Sequence, residues 1–364
     1  MVEARGESRL DGRLVDALHK VSPGTPLRDA MDNIIRAKTG SLIILGDEKK
    51  ISFLFSGGIR LETDFTPNMV YELAKMDGAI ILNKNASRIY RANVQLMPDP
   101  KIESRETGTR HRTAERVAKQ TKALAVSISQ ARDLVSIYID DKKYVLKDIR
   151  VLLAKADQAL QTLEKYRSRF DQVADNLTAL EFEDAVTLHE VIGALQRAEM
   201  VARVAGEIER YLIELGTEGR LISMQLEELM TGVSGDRDAL IRDYSSSRMV
   251  NPAQVEGRVC MLTADELFEV DIISKILGYR KKKAKPADIR LSPRGYRILA
   301  KLPRLPAPVV GNIVARYGHL KSLLMADEDD LVEVEGVGRV RAREIVEGLA
   351  QLRELALAEK YSFR

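Results

Sequence analysis

The strongest constraint on this chain is a long central stretch that lacks the residues that break helices. There is no proline between Pro100 and Pro252, and no glycine between Gly108 and Gly193. Proline deletes a backbone donor and clashes with the preceding turn, and glycine costs helix entropy. Inside the stretch Leu160, Leu163, Tyr166, Phe170, Val173, Leu177 and Leu180 recur at steps of three and four, tracing one face of a long helix from about Val151. Leu188, Ile192, Leu195, Ile208 and Leu212 continue the pattern, followed by Leu221–Met230. Residues 151–290 are therefore expected to form an all-helical linker or spine domain.

A chain of 364 residues has room for two or three domains, and the texture on either side of the helical stretch differs. Before it, Ser41–Gly46, Ala79–Leu82, Ala123–Ser129 and Leu134–Tyr138 read as buried strands, with Pro67–Lys75 and Ala114–Lys122 as helices between them. Residues 1–150 are thus expected to be an α/β domain with a central mixed sheet. The net charge is only +3, from 57 basic against 54 acidic residues, so any nucleic-acid contact has to come from local clustering. The single cysteine, Cys260, excludes an intrachain disulfide framework and a cysteine-rich metal site, and is expected to be a small buried residue. No apolar run reaches the roughly 18 residues of a membrane span, and the charged start MVEARGESRL lacks a signal-peptide core. The expectation is a cytoplasmic protein with no membrane partner.

The last 74 residues, 291–364, carry an internal echo at the approach of the basic run Arg280–Pro286. That run reads as a solvated linker or as a segment grazing phosphates. In Val334–Ile345, Gly336 and Gly338 form a tight turn that lets backbone N–H groups approach an anion. The helix that follows aims its positive end the same way, with Arg339, Arg341 and Arg343 in its first turns. A shift of 32 residues aligns Leu305-Pro306 with Val337-Gly338, Val310 with Ala342, and Ile313-Val314 with Ile345-Val346. This pair of all-α units resembles the helix-hairpin-helix family, which grips the DNA backbone with little sequence preference. Pro306 removes a donor from the first copy and puts its phosphate contact in doubt.

Two motifs in the N-terminal domain carry chemistry. Gly108-Thr-Arg-His-Arg-Thr113 places Thr109, Arg110, His111, Arg112 and Thr113 at the approach to a helix N-terminus. Guanidinium forks, hydroxyls and unpaired N–H groups there suit a triphosphate. The other is Met76-Asp77-Gly78-Ala79, at the passage from a helix to the strand Ala79–Leu82. Asp77-Gly78 reads either as a simple turn or as a metal-holding carboxylate beside a glycine that leaves space for a ligand.

The pair Asp-Gly-Ala and Arg-His-Arg, about 30 residues apart, resembles the diadenylate cyclase family over roughly residues 10–150. The helical middle and hairpin tail match a branch of that family built in the same order. The resemblance implies condensation of two ATP into cyclic di-AMP and two pyrophosphates, with Mg²⁺ or Mn²⁺ on Asp77 as the catalytic aspartate. It implies nucleotide contacts at Gly78, Leu96, Thr109, Arg110, His111, Arg112, Thr113 and Ser129, although Leu96 reads nearly as well as a core leucine. It further implies a homo-octamer, DNA (branched or bent) as a partner, and a nucleoid-associated role in DNA-integrity surveillance. Ser129 opens a Ser-Glu-Glu motif in membrane-tethered relatives, but here Gln130 and Ala131 replace both glutamates, which puts metal number and preference in doubt. The alternatives are a nucleotide-sensing DNA-binding protein without catalysis, or a nuclease or nucleotidyltransferase, for which Glu62 and Asp64 are the nearest further carboxylates.

Overall fold

The computed structural model describes residues 11–130, 134–246, 251–279 and 285–362. Ala131 and most of the basic run, residues 280–284, lie outside the described residues. The chain divides into two compact units, the first built from Ser8–Gln158 together with Ile208–Met224, the second from Ala159–Glu207 and the chain from Gln225 on.

The first unit is α/β. Its helices are α1 (Gly12–Val21), α2 (Pro26–Arg36), α3 (Glu48–Ile51), α4 (Pro67–Leu73) and α5 (Thr109–Thr121). Its strands are β1 (Ser41–Leu45), β2 (Phe55–Ser56), β3 (Ile59–Asp64), β4 (Ala79–Leu82), β5 (Arg88–Leu96), β6 (Leu124–Ile128), β7 (Val135–Ile139) and β8 (Lys142–Val145). They form a mixed sheet in the order β2-β5-β4-β1-β6-β7-β8, with β3 also pairing with β5. Among the described residues only β1 and β4 are parallel neighbours; the other pairings are antiparallel.

The central strands β1, β4, β6 and β7 are buried on both faces, which is why they read as continuous apolar runs. Alternate residues feed two cores. Ile43, Leu45, Ile80, Leu82 and Val126 pack with Leu18, Leu27, Met31, Ile34 and Val70 from α1, α2 and α4. On the other face Leu42, Ile44, Ile81, Ala125 and Tyr138 pack with Ala114, Val117 and Ala118 of α5. Strands β3 and β8 are largely exposed and polar, and so carry no apolar run. Helix α5 begins at Thr109, not at Ala114: Gly108 is its N-cap, in an extended conformation that launches the helix five residues earlier.

In the second unit the long helices appear as expected. The helix expected from Val151 is α6 (Ile149–Phe182), followed by α7 (Leu188–Leu215), α8 (Arg220–Met230), α9 (Val233–Tyr244), α10 (Pro252–Cys260), α11 (Ala264–Phe268) and α12 (Val270–Ile276). Helices α6, α7 and α8 each cross a boundary between the two units in sequence. Cys260 is exposed, contrary to expectation. It ends α10, whose buried stripe is Val255 and Val259, one turn apart; the next residue is rotated about 100° off that stripe.

The tail contains α13 (Tyr296–Ala300), α14 (Ala307–Tyr317), α15 (Leu320–Leu323), α16 (Glu328–Val332) and α17 (Arg339–Ser362). The echo in the sequence is an echo in the backbone, because α13 and α16, and likewise α14 and α17, start 32 residues apart. Arg304 takes a left-handed φ of 59° at the position equivalent to Gly336, whose φ is 87°. Val309, Val310 and Ile313 meet Val337, Ala342 and Ile345 in one core, which Ala179 and Phe182 of α6 complete.

A buried polar cluster joins these hairpins to the helices within the same unit. Arg297, 1% exposed, pairs with Glu181 at 2.7 Å and donates to Thr178 Oγ1 at 2.6 Å. Tyr244 donates to Glu181 at 2.6 Å. Asp243 accepts the backbone N–H groups of Gly295, Tyr296 and Arg297 at 2.7–2.8 Å, capping α13 from a distant helix. Among the described residues, no helix is long and apolar enough to cross a membrane.

Candidate active site

The residues of the two motifs meet at one edge of the sheet, where β1 and β4 begin and β6 ends. The parallel register pairs Leu42 with Ala79, and continued backwards it sets Gly78 level with Ser41 and Asp77 level with Gly40. Asp77 is fully exposed beyond the end of β4, and its Oδ1 lies 3.8 Å from Arg110 Nη2. A pair this long and this open to water is weak, so both charges remain available to a ligand.

Gly78 has a structural reason to be glycine. Its φ is 129°, and a Cβ would lie 2.8 Å from the backbone carbonyl carbon of Asn93 and 2.9 Å from the Asn93 Cα. Asn93 itself sits at φ 53°, next to the irregular register between β4 and β5. Glycine here lets the Asp77 turn pack directly on β5 and fixes where the carboxylate emerges.

Helix α5 supplies the cationic side. Its N-cap, Gly108, has no side chain to cap the first turn, so the leading N–H groups at the positive end of the helix have no side-chain cap. Successive residues then diverge by about 100°. Arg110 runs over Gly40, where a Cβ would fall on its Nη1 and 3.1 Å from Ile128 O. His111 Nδ1 shares a hydrogen bond of 2.9 Å with the Tyr138 hydroxyl, the rings meeting edge to face. Arg112 turns back, donating to Glu106 O at 3.3 Å and Thr107 O at 3.2 Å. Thr109 is exposed at the first helical position and Thr113 is half-buried one turn on.

Arg110 therefore converges with Asp77, whereas Arg112 shapes the loop that leads into the helix. Tyr138 is a core residue at 1% exposure. Burial, reinforced by the charge of Glu106, pushes its phenol well above the ordinary range, so it stays protonated. Glu106 is in turn paired with Lys143 at 2.6 Å.

Ser129 follows β6 directly, across from Gly40, and its N–H closes the turn to β7 on Leu134 O at 2.9 Å. Leu96 is 8% exposed and belongs to the core against α5, pairing with Phe55; the antiparallel register from Ala79 and Val94 carries it level with Asp77.

Gly40, Asn93, Tyr138 and Glu106 escaped the sequence reading. Gly40 and Asn93 act through backbone geometry, and Tyr138 is one residue in an apolar strand with nothing to mark its hydroxyl. Among the described residues, no cluster of three His, Cys, Asp or Glu could hold a metal ion. The donor set is one exposed carboxylate. That fits a Mg²⁺-type ion bound jointly with substrate phosphates and does not fit an all-protein cage.

In the tail, Gly336 packs against Val309, with Cγ2 3.0 Å from where a Cβ would lie, whereas Gly338 has open space around it. Arg341 donates to Gly336 O, tying up the turn, and Arg343 lies 3.6 Å from Glu328. Arg339 is exposed and makes no such contact among the described residues.

Comparison with known proteins defines the class. Residues 28–143 match the family model described as the DisA bacterial checkpoint controller nucleotide-binding region, the diadenylate cyclase domain, and residues 146–285 match the DisA linker region. The protein is a diadenylate cyclase. The chain is 50% identical over 350 residues to the DNA integrity scanning protein DisA of Clostridium tetani, covering 96% of each. It is 51% identical over 348 residues to that of Carboxydothermus hydrogenoformans, covering 94% of this chain and 98% of the relative. The chain belongs to the DisA family.

Proposed function

We propose that this chain condenses two ATP molecules into cyclic di-AMP and two pyrophosphates, and that its tail binds DNA without reading sequence. The observation that carries the first part is the meeting of Asp77 and Arg110 at the uncapped N-terminus of α5. The chemistry needs a carboxylate beside the phosphates, a cation on the departing charge, and a dipole facing both.

In each half-reaction a 3′-oxygen bonds to the α-phosphorus of the other ATP while the bond to pyrophosphate breaks and the hydroxyl proton passes to solvent water. Asp77 would hold Mg²⁺ or Mn²⁺ together with the triphosphate, a charge that lowers the hydroxyl pKa and polarises the phosphate. Arg110 takes up charge developing on the leaving pyrophosphate. The N–H groups of the first turn of α5, with Thr109 and Thr113, bind phosphate oxygens. His111 is oriented by Tyr138, Arg112 maintains the loop ahead of the helix, Ser129 contacts the nucleotide from the end of β6, and the edge of Leu96 meets the base beside Gly78.

The product is two-fold symmetric, so two identical half-sites facing each other are the economical arrangement. A monomer is then inactive, and the working assembly is a homo-oligomer, an octamer by likeness to the family. We take 1–150 as the cyclase, 151–290 as the linker and 291–364 as the DNA-binding part. There Gly336 and Gly338 present backbone N–H groups and Arg339 reaches a phosphate directly, while Arg341 and Arg343 reach phosphates on leaving Gly336 O and Glu328. Branched or bent DNA as the ligand, and a nucleoid-associated place in DNA surveillance, rest on likeness to the family.

The test is to incubate the purified chain with ATP and either Mg²⁺ or Mn²⁺ and resolve the products by chromatography with mass detection. Cyclic di-AMP with two equivalents of pyrophosphate is expected. ATP unchanged under both metals in an intact oligomer would overturn the reading in favour of a nucleotide-sensing DNA-binding protein.

A further inference from the structure

Away from Asp77 and Arg110, the α/β unit has a second, half-open cavity of about 360 Å³ at the opposite edge of the sheet, where β1 and β7 end and β6 begins. Its volume falls within the size range of small-molecule sites. The length of β1, five residues at about 3.3 Å each, separates it from Gly40, so an occupant would not compete with a nucleotide at Asp77.

The floor is apolar, made by Ala17, Leu45, Leu124 and Ile139, all under 9% exposed. The rim is cationic: five basic side chains line the cavity against two acidic ones, Asp16 and Asp47. Arg13 and Lys122 are held by Asp140, at 2.6 and 3.6 Å. Asp47 is engaged in capping α3 through Lys49 N–H. That leaves Lys20, Lys50 and Lys84, whose side-chain ammonium groups have no ion-pair or hydrogen-bond partner among the described residues. They arrive from three separate segments: α1, α3, and the turn between β4 and β5. Asp16 and Asp47 offset part of this charge, but the lysines outnumber them, so the rim stays cationic and favours an anion.

We propose that this cavity binds a phosphorylated small molecule of up to mononucleotide size. Lys20, Lys50 and Lys84 hold the phosphate and the organic body lies on the apolar floor. Lysines act here as flexible point charges around a phosphate. An apolar ligand would leave the rim unpaired, and a bare ion would leave the floor wet.

The test is isothermal titration calorimetry of the full chain with 5′-AMP and with inorganic pyrophosphate. Two variants separate the sites: Arg110→Ala for the nucleotide site, and the triple Lys20→Ala, Lys50→Ala, Lys84→Ala for the cavity. Binding of at least one probe by the Arg110→Ala chain is expected, and the triple change added to it should weaken that binding roughly tenfold or more, the equivalent of one charge-assisted hydrogen bond. The triple variant alone should keep basal cyclase turnover and an unchanged melting temperature. Failure of the Arg110→Ala chain to bind either probe, or equal binding with and without the three lysines, would overturn the proposal. Neither result would touch the assignment of the Asp77 edge, which turnover tests separately.

Discussion

Gly40→Ala is a one-methyl test of whether Arg110 acts from the place where it is found. Gly40 does not have a left-handed φ, so alanine brings no backbone strain. The added Cβ falls on Arg110 Nη1, the mobile end of a long side chain, and comes 3.1 Å from Ile128 O, which has to give by a few tenths of an ångström. The guanidinium is displaced and the fold is kept: a stability loss below about 1.5 kcal/mol is expected from denaturant unfolding. If Arg110 makes one charge-assisted bond in the transition state, losing it costs about 1.5–3 kcal/mol, or roughly a ten- to 150-fold fall in kcat/KM for cyclic di-AMP formation. The decisive comparison is the double-mutant cycle. In an Arg110→Ala background, Gly40→Ala should cost less than about threefold, because the group it displaces is gone. Equal losses in the two backgrounds, or wild-type turnover in the single variant, would refute the reasoning.

Three further expectations follow. Tyr138→Phe removes only the hydroxyl that holds His111, so kcat should fall about tenfold with little change in the KM for ATP; a kcat within twofold of wild type would count against the positioning role. Burial beside Glu181 pushes the Asp243 carboxyl up to about 7 despite its three N–H bonds. The folded state therefore holds a proton that the unfolded state releases near pH 4, and this contribution is full below that pH and is lost as pH rises through about 7. Urea unfolding at pH 5 and pH 8 should show a drop that shrinks in Asp243→Asn; the same drop in both chains would contradict the assignment. For DNA, Arg339→Ala should weaken binding equally across sequences and lower the salt slope by about one, readable by anisotropy titration at several salt concentrations; an unchanged slope would remove Arg339 from the interface.

How much was legible depended on what each residue does. The central strands and long helices announced themselves because burial on both faces, or along one face, leaves an apolar period. The edge strands β3 and β8 did not, because a strand exposed to water has no such period. The start of α5 was placed too late, at Ala114, because Thr-Arg-His-Arg carries no apolar signal and the helix is launched by the extended backbone of Gly108. Asp77 and Arg110 were found from their chemistry and do meet. Arg112 looked equivalent to Arg110 in sequence, but two positions along a helix is a turn of about 200°, and it spends its donors on Glu106 and Thr107. The 32-residue echo reached the backbone itself, down to Arg304 adopting the left-handed turn that Gly336 makes easily. Cys260 shows the limit of composition: residue type says small and apolar, and helix phase puts it outside.

The most direct test of the cyclase assignment is the product balance of Asp77→Asn beside the unaltered chain, with ATP and Mg²⁺ or Mn²⁺. Asp77 is fully exposed and supports no packing, so the variant should fold, keep its oligomeric state and still bind ATP through α5 while making no cyclic di-AMP. Near-normal turnover in that variant would contradict the assignment, because the charge at this edge of the sheet would then not be carrying the reaction.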